Sequence, residues 1–410
     1  MKPEALQNCG KCGLCLSVCP VYKILIQEEA SPRARLQLIK YYKNENLPST
    51  SGLKEIISKC LMCGSCKAIC PSGINHYSQF MEMRMQMRKD HGEKPAIKSL
   101  VYLLAKESRI KLAAGAAKFG QRIIPQNFFQ KYNLGNIPLK RFPRLNKKPF
   151  RKAVPEIILP DKNKKGTVLY FTGCATNHVF DKTGFSTISI LKQMGYKVII
   201  PGKQTCCGIP MLFHGAGEQA QKNVLTNIKC LDQKDIKAVI VDCPTCGTAL
   251  KEEYPALMKK LGKDDTAALN ISSKVMDIMS FILQESDLKN FSKPIDKIKV
   301  TYHLPCHLKN SQKTSNNTEK VLDELDWIEY ERAIDVDECC GGGGTFFYEY
   351  PEISKKMMDK KIINAKNTNA GIWLTDCPVC RINLSGNLRK KDKITVNHPV
   401  EIINKVPFNT

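Results

Sequence analysis

Apolar residues recur along this chain in short runs, and their spacing changes character part-way. Up to about residue 123 the intervals are helical. The stretch from Ala30 to Tyr42 predicts a helix with Ser31 as N-cap and Pro32 in the first turn. A second helix is expected over about 53–59. Met81, Met83, Met85 and Met87 alternate with Glu82, Arg84, Gln86 and Arg88. The period is strand-like, but these residue types favour helix, and packing at a subunit interface is the expected role. Residues 97–123 read as helical with a basic face of Lys98, Lys106, Arg109, Lys111, Lys118 and Arg122. The Pro- and Lys-rich segment 138–165 reads as a linker.

Beyond residue 165 the pattern becomes apolar strands alternating with helices. Runs at 167–171, 238–242, 299–303 and 371–376 suggest parallel strands buried on both faces. Helices are expected at about 217–231 and 353–365. No apolar run approaches the length of a membrane span. The chain is 410 residues long, too long for a single core, so two or three domains are expected.

Nineteen cysteines change this picture. Eight form two copies of one spacing, Cys9-x2-Cys12-x2-Cys15-x3-Cys19-Pro20 and Cys60-x2-Cys63-x2-Cys66-x3-Cys70-Pro71. This is the ligand run of a two-cluster 4Fe–4S ferredoxin, in which the fourth cysteine of each run serves the other cluster. Cys9, Cys12, Cys15 and Cys70 are thus assigned to one cubane, and Cys60, Cys63, Cys66 and Cys19 to the second. Zinc knuckles lack the third cysteine at the same step and the Cys-Pro ending.

Ten more cysteines repeat at nearly constant offset. Cys174, Cys206, Cys207, Cys243 and Cys246 match Cys306, Cys339, Cys340, Cys377 and Cys380 at offsets of 132 to 134 residues. Each set lies at a strand end or in the turn that follows, where open α/β sheets place ligands. Gly208 and the run from Gly341 to Gly344, Gly342 included, are expected to bring backbone N–H groups close to a bulky group. Five thiolates exceed what one zinc or one cubane needs. Either one cysteine per unit is spare or the bound group is larger, and zinc in one unit stays open. Cys230 reads as a packing residue. His303 and His307 flank Cys306, and His178 and His214 lie in the first copy; hydrogen-bonded structural roles are the preferred reading for all four.

These motifs resemble the family that joins a two-cluster ferredoxin to tandem cysteine-rich CCG domains. It includes the iron–sulfur subunits of glycolate oxidase and D-lactate dehydrogenases, of anaerobic glycerol-3-phosphate dehydrogenase and of heterodisulfide reductase. The resemblance implies an α-helical ferredoxin domain followed by two small α/β units with parallel sheets. The expected limits are 1–90 for the ferredoxin, 91–165 for a basic helical connector, and 166–260 and 261–410 for the two units. It further implies two 4Fe–4S cubanes, one or two non-cubane 4Fe–4S clusters, and an FAD-containing dehydrogenase partner. That partner would oxidise a 2-hydroxy acid or glycerol-3-phosphate. A membrane anchor or b-type cytochrome and quinone would receive the electrons. The alternative is catalytic reduction of a disulfide at the non-cubane clusters.

The net charge is +24. Residues 81–165 hold 21 Lys and Arg against 6 Asp and Glu, which suits an acidic partner or anionic lipid. Nucleic acid is not expected, because the basic stretch lacks interleaved aromatics. The first nine residues reach a cluster cysteine with no apolar leader, and unpaired cysteines suit a reducing compartment. A cytoplasmic location is expected, with peripheral placement on the inner face of the membrane. No G-x-G-x-x-G fingerprint occurs, so hydride chemistry is expected on another chain.

Overall fold

The computed structural model describes residues 9–123, 133–134, 137–138, 143–161, 164–291 and 296–404. Parts of the expected linker and the side chain of Arg122 lie outside them. The described residues up to 123 carry helices and no strands. Pro32–Lys43 begins as expected, with the Ser31 Oγ accepting from Ala34 N at 3.1 Å. Ser51–Ser58 follows, capped by Thr50. The methionine run lies inside the helix His76–His91. Met83 and Met87 are buried in a core shared with the first α/β unit, so their interface is internal to the chain. The expected long basic helix is two helices, Pro95–Leu104 and Glu107–Ile123.

Two parallel sheets follow. The first contains β1 (Ile157–Ile158), β2 (Gly166–Phe171), β3 (Tyr196–Ile199), β4 (Ala238–Val241) and β5 (Val275–Asp277) in the order β1-β3-β2-β4-β5. Only β1 is antiparallel in it. The second contains β6 (Ile298–Tyr302), β7 (Ile328–Tyr330), β8 (Ile372–Leu374) and β9 (Thr395–Asn397) in the order β7-β6-β8-β9. Without β1 the two orders are the same, which is the structural form of the repeat. The likeness extends to side chains. Tyr170 donates to Asp242 and Tyr302 to Asp376, each O···O 2.5 Å.

Two expectations change. The first sheet runs past residue 260, so a division at 260/261 cuts through it. The segment read as a linker contributes β1 and the fully buried Phe150. Its apolar residues were obscured in the sequence by the surrounding lysines and prolines.

The units pack reciprocally. Helix Asp181–Gln193 lies against Pro399–Ile403, and Ile278–Glu285 lies against Asn317–Glu324. A buried ion pair, Arg381 with Glu401, and a Thr183 hydroxyl donating to Glu401 stitch the first contact. Their apolar residues merge into one core. No helix among the described residues is long and apolar enough to cross a membrane.

Candidate metal centres

The two ferredoxin runs fold alike. Lys11 and Met62 occupy matching left-handed positions (φ 53° and 54°), followed by Gly13 and Gly64 (φ 84° and 76°). A left-handed non-glycine residue costs energy, and its recurrence at one position marks a loop shaped for a purpose. The crossing of the fourth cysteines is visible in space. Cys9, Cys12, Cys15 and Cys70 line one cavity, and Cys19, Cys60, Cys63 and Cys66 line another. The first cage reaches the surface at the exposed Cys12, while Cys19 and Cys63 are buried.

In the first α/β unit Cys206, Cys207, Cys243 and Cys246 are buried in the core shared with the helices over residues 76–104, and Cys174 packs against it. Hydrogen bonds from Cys206 and Cys246 hold the Cys207 thiol below its ordinary pKa. In the second unit Cys339 and Cys380 do the same for Cys340. The second member of each Cys-Cys pair is thus the natural thiolate. Gly341 N–H donates to Cys339 Sγ at 3.4 Å, and Gly208 N–H is directed at Cys206 in the matching way. A Cβ on Gly342 would stand 3.2 Å from Cys340 Sγ. Gly343 has a different duty: a Cβ there would meet Leu61 Cδ2 at 2.5 Å, so this turn needs glycine to press against the ferredoxin loop between Cys60 and Cys63.

That contact brings two sulfur groups together. Cys63 lines one cavity with Cys306, Cys339, Cys340, Cys377 and Cys380. A wider cleft of about 460 Å³ also reaches Cys306 and Cys339 and is lined by Lys23, Lys309, Lys356 and Lys360 together with Asp337 and Glu338, which pair with Lys309 and with Lys23 and Lys360.

Residues 168–251 and 300–385 each match the cysteine-rich CCG domain, and residues 5–74 match the 4Fe–4S dicluster domain. The chain belongs to the iron–sulfur family that joins these domains. It is 27% identical to the probable glycolate oxidase iron-sulfur subunit of Bacillus subtilis, over 95% of this chain and 91% of the relative. It is also 27% identical to a subunit of the dihydromethanophenazine:CoB–CoM heterodisulfide reductase of Methanosarcina barkeri, over 97% and 93%. A subunit of the CoM/CoB fumarate reductase of Methanothermobacter marburgensis is 26% identical, over 95% and 71%. The chain is therefore an iron–sulfur subunit of oxidoreductase type, with 4Fe–4S chemistry in its ferredoxin region.

Several buried groups fit such clusters. Arg35 is 1% exposed, its Nε donates to Ile56 O at 3.0 Å, and its NH2 group has no partner. It lines the cage of Cys19, Cys60, Cys63 and Cys66 and has no carboxylate partner among the described residues. A buried cation needs a compensating anion, which a thiolate-ligated cluster supplies. Burial pushes the Cys63 thiol up to about 11, so a bound metal is what would keep it deprotonated at neutral pH. Buried Lys361, paired with Asp335 at 3.7 Å, is close enough to Cys340 and Cys339 to feel their charge. Arg151, paired with Glu107 at 3.0 Å, stands in the same relation to Cys174. The sequence motifs missed these three cations. Arg35 left one trace, a charge within the stripe of Pro32, Leu36 and Ile39.

Of the remaining candidates, His303 and His307 line the second unit's sulfur cavity, and the others pack elsewhere. Cys230 Sγ donates to Asn227 O at 3.4 Å within its own helix. His178 contacts Glu107 at 3.2 Å, His214 contacts Thr345 at 2.7 Å, and His307 contacts Thr245 at 3.0 Å. These three are hydrogen-bonded, as expected. His303 meets no nitrogen or oxygen partner among the described residues.

Proposed function

We propose that this chain relays electrons within an oxidoreductase complex. In this reading Cys9, Cys12, Cys15 and Cys70 hold a surface cubane, and Cys19, Cys60, Cys63 and Cys66 an inner one. The two five-cysteine sets hold further centres, of non-cubane 4Fe–4S type or, in one unit, zinc. The cavity shared by Cys63 and the second unit's sulfurs carries the proposal, because it places ferredoxin and CCG cysteines around one space.

Bound in these cages, 4Fe–4S clusters exchange single electrons at potentials set by their surroundings. The chain's own groups would set those surroundings. Arg35 offsets the negative charge of the inner cage, and the close Leu61–Gly343 contact holds the two cages together. The exposed Cys12 marks an entry for electrons from a partner. We take that partner to be an FAD-containing dehydrogenase acting on a 2-hydroxy acid or glycerol-3-phosphate. The acceptor would be quinone, reached through a membrane anchor or b-type cytochrome, with the chain on the cytoplasmic face.

The test is anaerobic co-purification of the native complex, followed by addition of each candidate substrate. Substrate-dependent bleaching of the brown chromophore is expected. A colourless chain without acid-labile sulfide would overturn the relay. A second reading, reduction of a disulfide to two thiols with two electrons and two protons, draws support from the lysine-lined cleft at Cys306 and Cys339. It predicts that an anionic disulfide re-oxidises the chemically reduced chain without any partner. No re-oxidation in the presence of fully loaded clusters would remove it.

A further inference from the structure

The repeats differ where the first strand of each unit meets the sulfurs. In the first unit β2 ends on Phe171, which is fully buried. A Cβ on Gly173 would lie 3.0 Å from Cys246 Sγ and 4.0 Å from Phe171 Cε1, so the ring and this sulfur flank the same glycine. In the second unit the same register position is His303. Tyr302 is registered with Leu374 as Tyr170 is with Ile240, and each is followed by the residue in question.

His303 is 1% exposed, neither ring nitrogen meets a nitrogen or oxygen partner among the described residues, and the ring's polar contact is with the Cys340 thiol. A thiol is a weak hydrogen-bond partner for a buried imidazole, and phenylalanine in the first unit shows that the fold does not require imidazole here. What faces the ring is sulfur. A ring nitrogen of His303, Cys340 Sγ and Cys380 Sγ all lie within 4.8 Å of one another, and the two sulfurs are 3.0 Å apart. Donors bound at about 2.0–2.3 Å to one tetrahedral ion stand roughly 3.5–3.8 Å apart. The trio is therefore compact enough to share a single ion after small side-chain adjustments. Cys377 hydrogen-bonds to Cys380 and offers a fourth donor.

We infer that His303 gives a ring nitrogen, with Cys340 and Cys380, to one tetrahedral metal ion in the second unit, so that the two repeats hold chemically different centres. The inference rests on the reading that this unit binds metal. Its ligand chemistry is borderline sulfur and nitrogen, which suits Zn²⁺ or one iron of a cluster. If the ion is iron, neutral imidazole in place of thiolate removes negative charge and raises the potential, as histidine ligation does in other iron–sulfur centres.

The experiment uses the full chain, isolated anaerobically, with His303→Phe and His303→Cys. Phenylalanine is the residue that the first unit carries at this position, and the ferredoxin EPR signals report folding. Zinc and iron content, nitrogen scattering at the zinc absorption edge and nitrogen hyperfine coupling by pulsed EPR are read on each. If the ion is zinc, His303→Phe loses it and its nitrogen scattering while iron content stays the same. If it is iron, His303→Phe loses a nitrogen coupling and His303→Cys keeps the metal but lowers the potential. Unchanged zinc content, scattering and nitrogen coupling in His303→Phe overturns the inference. A parent chain with ferredoxin iron alone overturns the reading beneath it, and the inference falls with that reading.

Discussion

The first and second cysteine-rich units share a strand order, a buried Tyr–Asp pair and a Cys-Cys-Gly turn, but their surroundings are not shared. The sulfurs of the first lie beneath the helices over residues 76–104, in one apolar core with Tyr77, Phe80 and Met83. Those of the second share a cavity with ferredoxin Cys63 and border the lysine-lined cleft. Between third and fourth strands the first unit carries Ala249–Glu253, Tyr254–Lys260 and Thr266–Lys274, where the second has the helix Pro378–Asn387 and a short turn. Duplication has preserved the frame that positions five thiols. Divergence lies in what surrounds that frame, so one copy is covered by helices and the other opens towards Cys63 and the cleft.

The most severe way to break this contrast is Cys63→Ser. It removes a donor of the inner cage and a wall of the second unit's cavity. Electron delivery to the second unit should fall by more than the roughly 10- to 100-fold that loss of an outer-shell partner brings, while metal bound by the first unit is retained. Stopped-flow reduction and iron content check this; unaltered delivery would mean that electrons enter the second unit elsewhere. Next is Arg151→Met, which strands Glu107 beside His178. Breaking a buried ion pair costs about 3–5 kcal/mol, and denaturant titration should show that loss. A loss below about 1 kcal/mol, the level of an exposed pair, would show that the first unit does not depend on this one.

The third prediction concerns the first unit's additional helices. Burial, then repulsion from Glu252, pushes the Glu253 carboxyl up to about 7. An upward shift means that the folded state holds a proton which the unfolded state has released. Stability is complete below the unfolded value near 4.5 and is lost as pH rises towards 7. Glu253→Gln should thus match the parent at about pH 4 and exceed it at about pH 8 by up to about 3 kcal/mol. Equal melting temperatures at the higher pH would refute the shift. The smallest effect is expected from Phe171→His, which gives the first unit the second's residue. A new nitrogen coupling at its centre, with little change in stability, would show that one side chain accounts for the chemical difference between the copies.

Much of this arrangement was legible in the chain. Cysteine spacing is local covalent information, and the crossing of Cys19 and Cys70 between cages follows from it. Strands β2, β4, β6 and β8 were visible because sheets covered on both faces demand continuous apolar runs. Strands β5 and β9 were not, since three residues cannot display a period and their pairing depends on a partner distant in sequence. Ile157, Ile158 and Phe150 were hidden for the same reason: their burial is set by the sheet and not by their neighbours. His303 looked ordinary because a histidine at a strand end is usually bonded to nitrogen or oxygen, and only the packed core shows that this one faces sulfur instead.

Arg84 carries a consequence for kinetics. Its guanidinium donates to the carbonyls of Ile57, Ser58 and Cys60 on the ferredoxin side and to Phe213 of the first unit at 2.7 Å. One side chain therefore clamps a cysteine loop to a neighbouring domain, and a swinging carrier would have to break its bond to Phe213 on each cycle. Charge passing through such a molecule moves across a fixed gap, at a rate set by separation and driving force rather than by the diffusion of a tethered head.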